Sequence, residues 1–501
     1  MGGSSELGDL ATVSAGHGTR PDAAAAAATR PRFGPGTVAA LLLVTAAVKL
    51  ALAIAFPGFG TGDDTEVLLS AFRAATGLPY EAWNIRSLFL PELVVAPFLA
   101  LASFLGVGST DGLRVAAVLP FVLLSTASLA LLHRIALRMT GSRAAALLAA
   151  SLYAVHWIPL GYASTTFPRT ASTTAVLAAF LLLLSRRGSP VPPAAAGACL
   201  ALAATVRYSE VVFLPAAAAV LLLSDGRAGR EKLRGLFALA SGFAATGLLT
   251  MGLFDAVRTG RPFSSLLAFG SHALLERQYS SLEPVQPSWW YLWRLPKWFP
   301  LPLVPLAVLG ERKLRAPLAV MLLVPLGLLS LVPHKELRYL QGLIPFVCLL
   351  VAAGAAQLFS KGRKRTAVAL LAASLPWLSF GITFLARKST AAVEASRLLA
   401  KEPGIGTVAL SQSWAYGGNL YFPAVSVRDL PVEPANEDLD AVVPGTDRVC
   451  LWADVVERSP GLAERLGEHG FTRAATVRSG TSRPVALFAR RPAAARAPAA
   501  P

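Results

Sequence analysis

The sequence predicts an all-α polytopic membrane protein of roughly 11 to 12 transmembrane helices, followed by a small C-terminal α/β soluble domain. Three observations predict it. Of the 501 residues, 54% are hydrophobic and only 15% charged, where soluble domains carry about 25% charged residues; mean hydropathy is +0.55. The apolar residues gather into runs approaching the ~20 that a helix needs to cross a bilayer. The basic residues behind the net charge of +17 sit mostly in short turns between those runs. That placement sets topology by the positive-inside rule, and it argues against nucleic-acid binding, which calls for a basic face or stripe.

The elements follow in order. Residues 1–35 are rich in Ala, Gly, Ser and Thr and carry Arg20, Arg30 and Arg32, which predicts a disordered cytoplasmic leader. The apolar run from Thr37 is too long and too far from the terminus for a cleaved signal, so it reads as a retained anchor. Over a membrane domain of residues 36–386, spans are expected near 37–56, 92–107, 113–132, 143–161, 170–185, 190–206, 210–224, 235–255, 299–311, 316–332, 339–357 and 366–385. The turns Arg134 to Arg143, Arg186–Arg187, Arg227 to Arg234, Glu311 to Arg315 and Lys361 to Arg365 are then cytoplasmic. Loops 57–91 and 256–298, the segments 162–169 and 333–338, and a tight turn at Arg207 fall outside. Two apolar runs separate 57–91 from the basic turn at 134–143. Either 92–107 is re-entrant or that turn breaks the rule, and the choice stays open.

Residues 387–490 predict a soluble extracytoplasmic α/β unit, with a helix at Thr390 to Ala400 and strands at Thr407–Ser411, Asp447–Trp452 and Val485–Ala489. Residues 491–501 read as a disordered tail. Cys199, Cys348 and Cys450 have no metal or disulfide spacing and read as small buried side chains.

Chemistry concentrates on the outer side. Asp63, Asp64 and Glu66 follow the first span closely, and charges at a hydrocarbon boundary are costly and tend to be functional; the plainer alternative is the acidic first turn of a helix. External loops should be poor in Lys and Arg, yet Arg86, Arg169, Arg207, His334, Lys335 and Arg338 all lie at external span ends. Each alone could be a snorkelling cation. Together, facing one acidic cluster, they suggest a binding site for an anion such as a phosphate. Trp83, Trp289, Trp290 and Tyr291 offer stacking surfaces for a sugar or lipid head, or an interfacial aromatic belt.

Five blocks then resemble one family in order and approximate spacing: AWNIRSLFLP (82–91), VRYSEVVFLP (206–215), FDAVRTGRPFSSLLAF (254–269), QPSWWYLWRLP (286–296) and HKELRYLQGLIP (334–345). They are similar to the lumenal mannosyltransferases that use dolichyl-phosphate mannose, glycosyltransferase family 22 of the GT-C superfamily, whose HKE-x-RF signature is the most specific match. The chain departs from that pattern in three places. Asp63-Asp64-Thr65-Glu66 replaces an Asp-Glu pair, Asn84 stands for a glutamate, and Ser288 with Trp289–Trp290 flanks a missing histidine. These departures imply a divergent member with a changed sugar or acceptor.

The resemblance implies an inverting transferase with a polyprenyl-phosphate sugar as donor and a glycan, lipid-linked or protein acceptor. The active site would face outward from the membrane bilayer, a bacterial cell membrane or, in a eukaryote, the endoplasmic reticulum. Asp63 or Asp64 would be the base, with Glu66 supporting. His334, Lys335 and Arg338, with Arg86 and Arg207 behind them, would stabilise the lipid-phosphate leaving group. No metal or other cofactor is expected, since the donor is a monophosphate. A GT-C relative acting on proteins or on lipid A is the first rival, and it lacks the HKE signature. A lipid-linked-sugar transporter is the second; it would favour two repeated halves with charges buried mid-span, and the sequence shows neither.

Overall fold

A computed structural model describes residues 35–184, 189–223, 228–272, 285–309 and 312–490. The expected leader up to residue 34, the Arg186–Arg187 turn, residues 273–284 of the long external loop and the tail from 491 lie outside them. Five helical runs are long and apolar enough to cross a bilayer: Gly36–Ala55, Thr110–Thr140, Gly229–Thr259, Leu314–Leu331 and Lys364–Leu399. Six shorter apolar helices accompany them: Pro91–Phe104, Arg143–Val155, Arg169–Leu183, Val191–Val206, Tyr208–Leu222 and Ile344–Ser360. The short ones pack inside the bundle. Ile344–Ser360 buries nearly every side chain from Ile344 to Ala355, and the main apolar core runs through it to Tyr153, Phe180 and Phe213.

Three boundaries differ from those expected. The helix Thr110–Thr140 continues through Arg134 and Arg138 to a left-handed Gly141, so these arginines occupy its last turns, where cations suit the helix dipole. Pro91–Phe104 holds 14 residues, or about 21 Å of helix, which is too short to cross alone. In place of a span over 299–311 stand a short 3-10 turn, Leu301–Leu303, and the helix Val304–Leu309, because three prolines interrupt the run.

The C-terminal unit is a five-stranded sheet with helices. Its strands are β1 (Thr407–Ser411), β2 (Ser426–Leu430), β3 (Arg448–Trp452), β4 (Phe471–Val477) and β5 (Val485–Arg490), in the order β2-β1-β3-β5-β4. β1 runs parallel to both β2 and β3, whereas β5 runs antiparallel to β3 and β4. β1 and β3 are nearly all buried, as expected of strands covered on both faces.

This unit sits directly on the first external loop. Gly58 has no room for a side chain: a Cβ there would stand 2.4 Å from the Thr390 nitrogen. Ser389 accepts from the Phe59 amide at 2.9 Å through its Oγ. Thr65 donates to the Trp414 carbonyl at 2.8 Å, and Asn419 Nδ2 to the Pro79 carbonyl at 2.7 Å. Arg397 and Tyr421 both bond Asp111, at the start of a spanning helix.

Candidate active site

The first loop folds into a helix, Gly62–Thr76, that Thr61 caps from an extended conformation and a left-handed Gly77 ends. Its opening turn holds two acids with opposite tasks. Asp64 bonds back onto the cap: Oδ1 accepts the Thr61 hydroxyl at 3.0 Å and Oδ2 the Gly60 N–H at 2.9 Å. This is the reciprocal satisfaction that favours an acid at the third helical position. Its side chain is wholly buried, and burial pushes the carboxyl up to about 6 against the pull of those two hydrogen bonds.

Asp63 points elsewhere. Its Oδ1 lies 2.7 Å from Arg207 Nη1 and 3.0 Å from Arg86 Nη2, and its Oδ2 lies 3.9 Å from Arg338 Nη2. Burial would raise this carboxyl, but Arg207, Arg86 and Arg338 outweigh it and hold Asp63 far below the ordinary carboxylate range. Burial lowers Arg207 to about 10, which leaves it charged at neutral pH.

The three arginines come from three segments, and each is positioned by its own local structure. Glu66, one turn beyond Asp63, accepts from the Tyr80 hydroxyl, the Trp83 amide at 2.9 Å and Ser70 Oγ at 3.3 Å. Glu66 thereby fastens the loop that carries Arg86. Arg207 ends the helix Val191–Val206 in extended backbone. Arg338 lies on a 3-10 turn, Leu337–Leu340, and pairs with Glu336. A buried pair that sequence reasoning overlooked ties these last two segments together. Arg169 Nη1 meets Glu210 at 2.5 Å, its Nη2 donates to Ser209 at 2.8 Å, and its guanidinium lies 4.6 Å above the Tyr339 ring. Arg169 was visible as an external cation, and Glu210 lay within the VRYSE block. Their 41-residue separation hid the pairing.

Asp63, Glu66, Arg86 and Arg207 line a narrow cleft together with Ser87 and Pro168. Two guanidiniums, of Arg86 and Arg207, meet the carboxylates of Asp63 and Glu66 in this lining, and Arg338, paired with Glu336, approaches Asp63 from beyond it. Guanidiniums converging on a cleft supply the fork geometry that suits a phosphate.

Other candidates fall away from this group. Lys335 Nζ donates to the carbonyls of Gln286 and Val332, at 2.8 and 2.5 Å, so it braces the chain and is not directed at Asp63. His334 packs edge-on to Tyr339 and lies 3.9 Å from Glu336. Trp83 is 44% exposed beside Arg86, 6.0 Å from its guanidinium. Tyr291 is 1% exposed and belongs to the apolar core, so it offers no face to a sugar. Trp290 packs partly buried against the same core under Arg294, and Trp289 is exposed and crosses Trp293. Neither lines the Asp63 cleft. Among the described residues, no group of three His, Cys, Asp or Glu converges as a metal site.

A search of curated protein sequences returns no match. The profile of the Alg9-like mannosyltransferase family, by contrast, matches residues 63–398, from Asp63 through all three arginines. The chain belongs to the Alg9-like mannosyltransferase family. It is therefore a membrane glycosyltransferase, and the transporter alternative falls.

Solved structures of the same GT-C architecture are similar to this glycosyltransferase over most of its length. ArnT from Cupriavidus metallidurans, solved bound to undecaprenyl phosphate, is 10% identical with a TM-score of 0.59, over 90% of this chain and 98% of its own. The mycobacterial arabinofuranosyltransferase AftD is 18% identical with a TM-score of 0.54, over 89% of this chain but 39% of its own. The Archaeoglobus fulgidus oligosaccharyltransferase, in complex with zinc and sulfate, is 13% identical with a TM-score of 0.51, over 88% and 73%. At these identities the likeness is one of fold.

Proposed function

We propose that the transferase moves a mannosyl residue from a polyprenyl phosphate to a glycan or lipid-linked acceptor on the extracytoplasmic side of a bacterial cell membrane. The observation that carries this is the convergence of Arg86, Arg207 and Arg338 on the cleft-lining Asp63. The undecaprenyl phosphate held by ArnT, which shares the fold, supports a lipid phosphate as the leaving group.

In the step proposed, the acceptor oxygen bonds to the anomeric carbon as the bond from that carbon to the phosphate oxygen breaks. Configuration inverts, the acceptor proton passes to Asp63, and polyprenyl phosphate departs with one more negative charge. The three arginines meet that charge as it develops. Asp63 is the base because it is the carboxylate of the pair that lines the cleft, and a base must reach the proton it takes. Asp64 holds the helix start and Glu66 holds the Arg86 loop. In the free enzyme Asp63 is a weak base, tied to arginines. A donor phosphate competes for those guanidiniums, and as they turn to it the carboxyl rises toward its ordinary range. Seating the donor thus arms the base.

The test uses purified transferase in nanodiscs with polyprenyl-phosphate [³H]mannose, GDP-[³H]mannose and acceptor-rich membranes. Label should leave the lipid donor for the acceptor, with polyprenyl phosphate released and no loss of rate in EDTA. Transfer from GDP-mannose but not from the lipid would overturn the proposal, and a strict need for added divalent cation would overturn the arginine-only account of the leaving group.

A further inference from the structure

A second cleft, of about 180 Å³, opens where the C-terminal unit meets the membrane domain. Arg387, Lys388 and Arg483 line it, and no acidic side chain does, although Asp454 beneath takes two hydrogen bonds from Arg483. Phe384, Trp414 and Trp452 supply aromatic faces. Aromatic faces with polar groups around them suit a sugar ring, and a lining with three cations and no acid suits an anion, with exposed Arg387 the least engaged of the three.

Three independent features mark this as a built site. Gln412 and Trp452 stand at the carboxyl ends of the adjacent parallel strands β1 and β3, the end at which ligands enter α/β sheets. Trp452 is 4% exposed, and its indole Nε1 is buried without any acceptor. An orphaned buried donor is costly, and a ligand oxygen would satisfy it. Gln412 is held in the left-handed region at φ 57° while its amide bonds the Leu430 carbonyl, and such strain gathers at ligand clamps.

The two clefts flank one turn. Gly60 lines the second cleft and bonds Asp64 through its amide, whereas Asp63 lines the first. We infer that the second cleft is the acceptor subsite, and that the acceptor is an anionic saccharide whose phosphate or carboxylate meets Arg387 and Arg483 while a sugar oxygen takes the Trp452 N–H. This rests on the transfer reaction proposed above. It makes the C-terminal unit part of the specificity machinery.

The test measures transfer in nanodiscs with donor and acceptor extract varied separately, for Trp452→Phe, Arg483→Met and the exposed Arg387→Ala. Each should raise the apparent acceptor KM about tenfold and leave the donor KM within about twofold. Thermal melts identify any variant that has merely unfolded, and Arg387→Ala carries the test if the other two changes do so. In the wild type, mannose 1-phosphate and glucuronate should compete with acceptor at lower concentration than methyl α-mannoside, and Arg483→Met should erase that advantage. Inhibition by the phosphate probe alone would assign a phosphate; equal inhibition by both acids would assign any anion. An unchanged acceptor KM in all folded variants overturns the inference. Equal potency of the neutral and charged probes overturns its anionic part. Absence of any transfer by wild type would instead fail the underlying reaction.

Discussion

Replacing Asp63 by Asn separates the two roles assigned to this residue. The amide oxygen can still accept from Arg207 and Arg86, now 2.7 and 3.0 Å from Oδ1, so the arginine cluster keeps its anchor. The variant loses proton acceptance, which is worth about 10²- to 10⁴-fold in kcat. It also loses a competitor for the donor phosphate. Two charges about 4 Å apart in a partly buried protein site attract by on the order of 4 kcal/mol at an effective dielectric near 20. If about a third of one such interaction reaches the binding equilibrium, the phosphate gains roughly 1.4 kcal/mol, a tenfold tighter Kd. The expected outcome is thus opposed: slower turnover with tighter product and donor binding. Single-turnover transfer measures the first, and displacement of a fluorescent polyprenyl phosphate from nanodiscs the second. Retention of more than a tenth of the wild-type rate would remove Asp63 as the base. Binding that weakens in step with rate would show that the carboxylate does not compete with phosphate at all.

Three further outcomes are expected. Arg207→Met, which deletes the shortest contact to Asp63 and a donor aimed at the leaving group, should lower kcat by about 10²- to 10³-fold with a smaller change in donor KM; a pure KM effect would contradict the role. The acid limb of kcat should lie at higher pH than that of kcat/KM when both are followed in an Asp64→Asn background. The first profile reports the donor-bound enzyme and the second the free enzyme, where the arginines keep Asp63 ionised far into acid; activity falls as pH falls because the base must be ionised, and coincident limbs would show that the donor does not alter Asp63. Gly58→Ala forces a Cβ to within 2.4 to 2.8 Å of the Ser389–Thr390 backbone, so it should cost about 1–3 kcal/mol of stability, seen as a lower Tm and faster proteolysis near residue 388; an unchanged melt would show that the docking surface yields freely.

The long spans were legible because an uninterrupted apolar run of sufficient length has no other stable home. The short helices ending at Val206 and starting at Arg169 fell within two residues of expectation, whereas the run after Phe299 did not, since its prolines break the helix through local sterics that hydropathy averages away. In the sheet, buried β1 and β3 announced themselves, whereas the edge strand β4 carries Thr472, Arg473 and Thr476 and a bulge, which blurs alternation. The outward cations were visible as a set, but not their division. Glu336 is extended at φ −138° just before the 3-10 turn, so Lys335 and Arg338 turn to different partners although they share one block. The same limit applies to Tyr291, whose neighbours Trp289 and Trp290 remain accessible while it is packed inward. Local pattern marks which residues are unusual; only the fold distributes them among phosphate, backbone and core.

With Asp63 as the proposed base, its arginine partners have a consequence for rate rather than affinity. In the ground state Asp63 and the donor phosphate share Arg86, Arg207 and Arg338, so neither is fully satisfied. As transfer proceeds, the departing phosphate gains charge while Asp63 gains a proton and stops competing. Both changes direct the guanidiniums to the same atom at the same moment. An interaction that strengthens only along the reaction coordinate lowers the barrier without trapping the substrate. On the proposed reaction, three arginines around one carboxylate would therefore do more than bind an anion: their electrostatic effect would be greatest in the transition state. The neighbouring Asp64, bonded to its own helix cap and sealed from the cleft, keeps that carboxylate's backbone still while its charge changes.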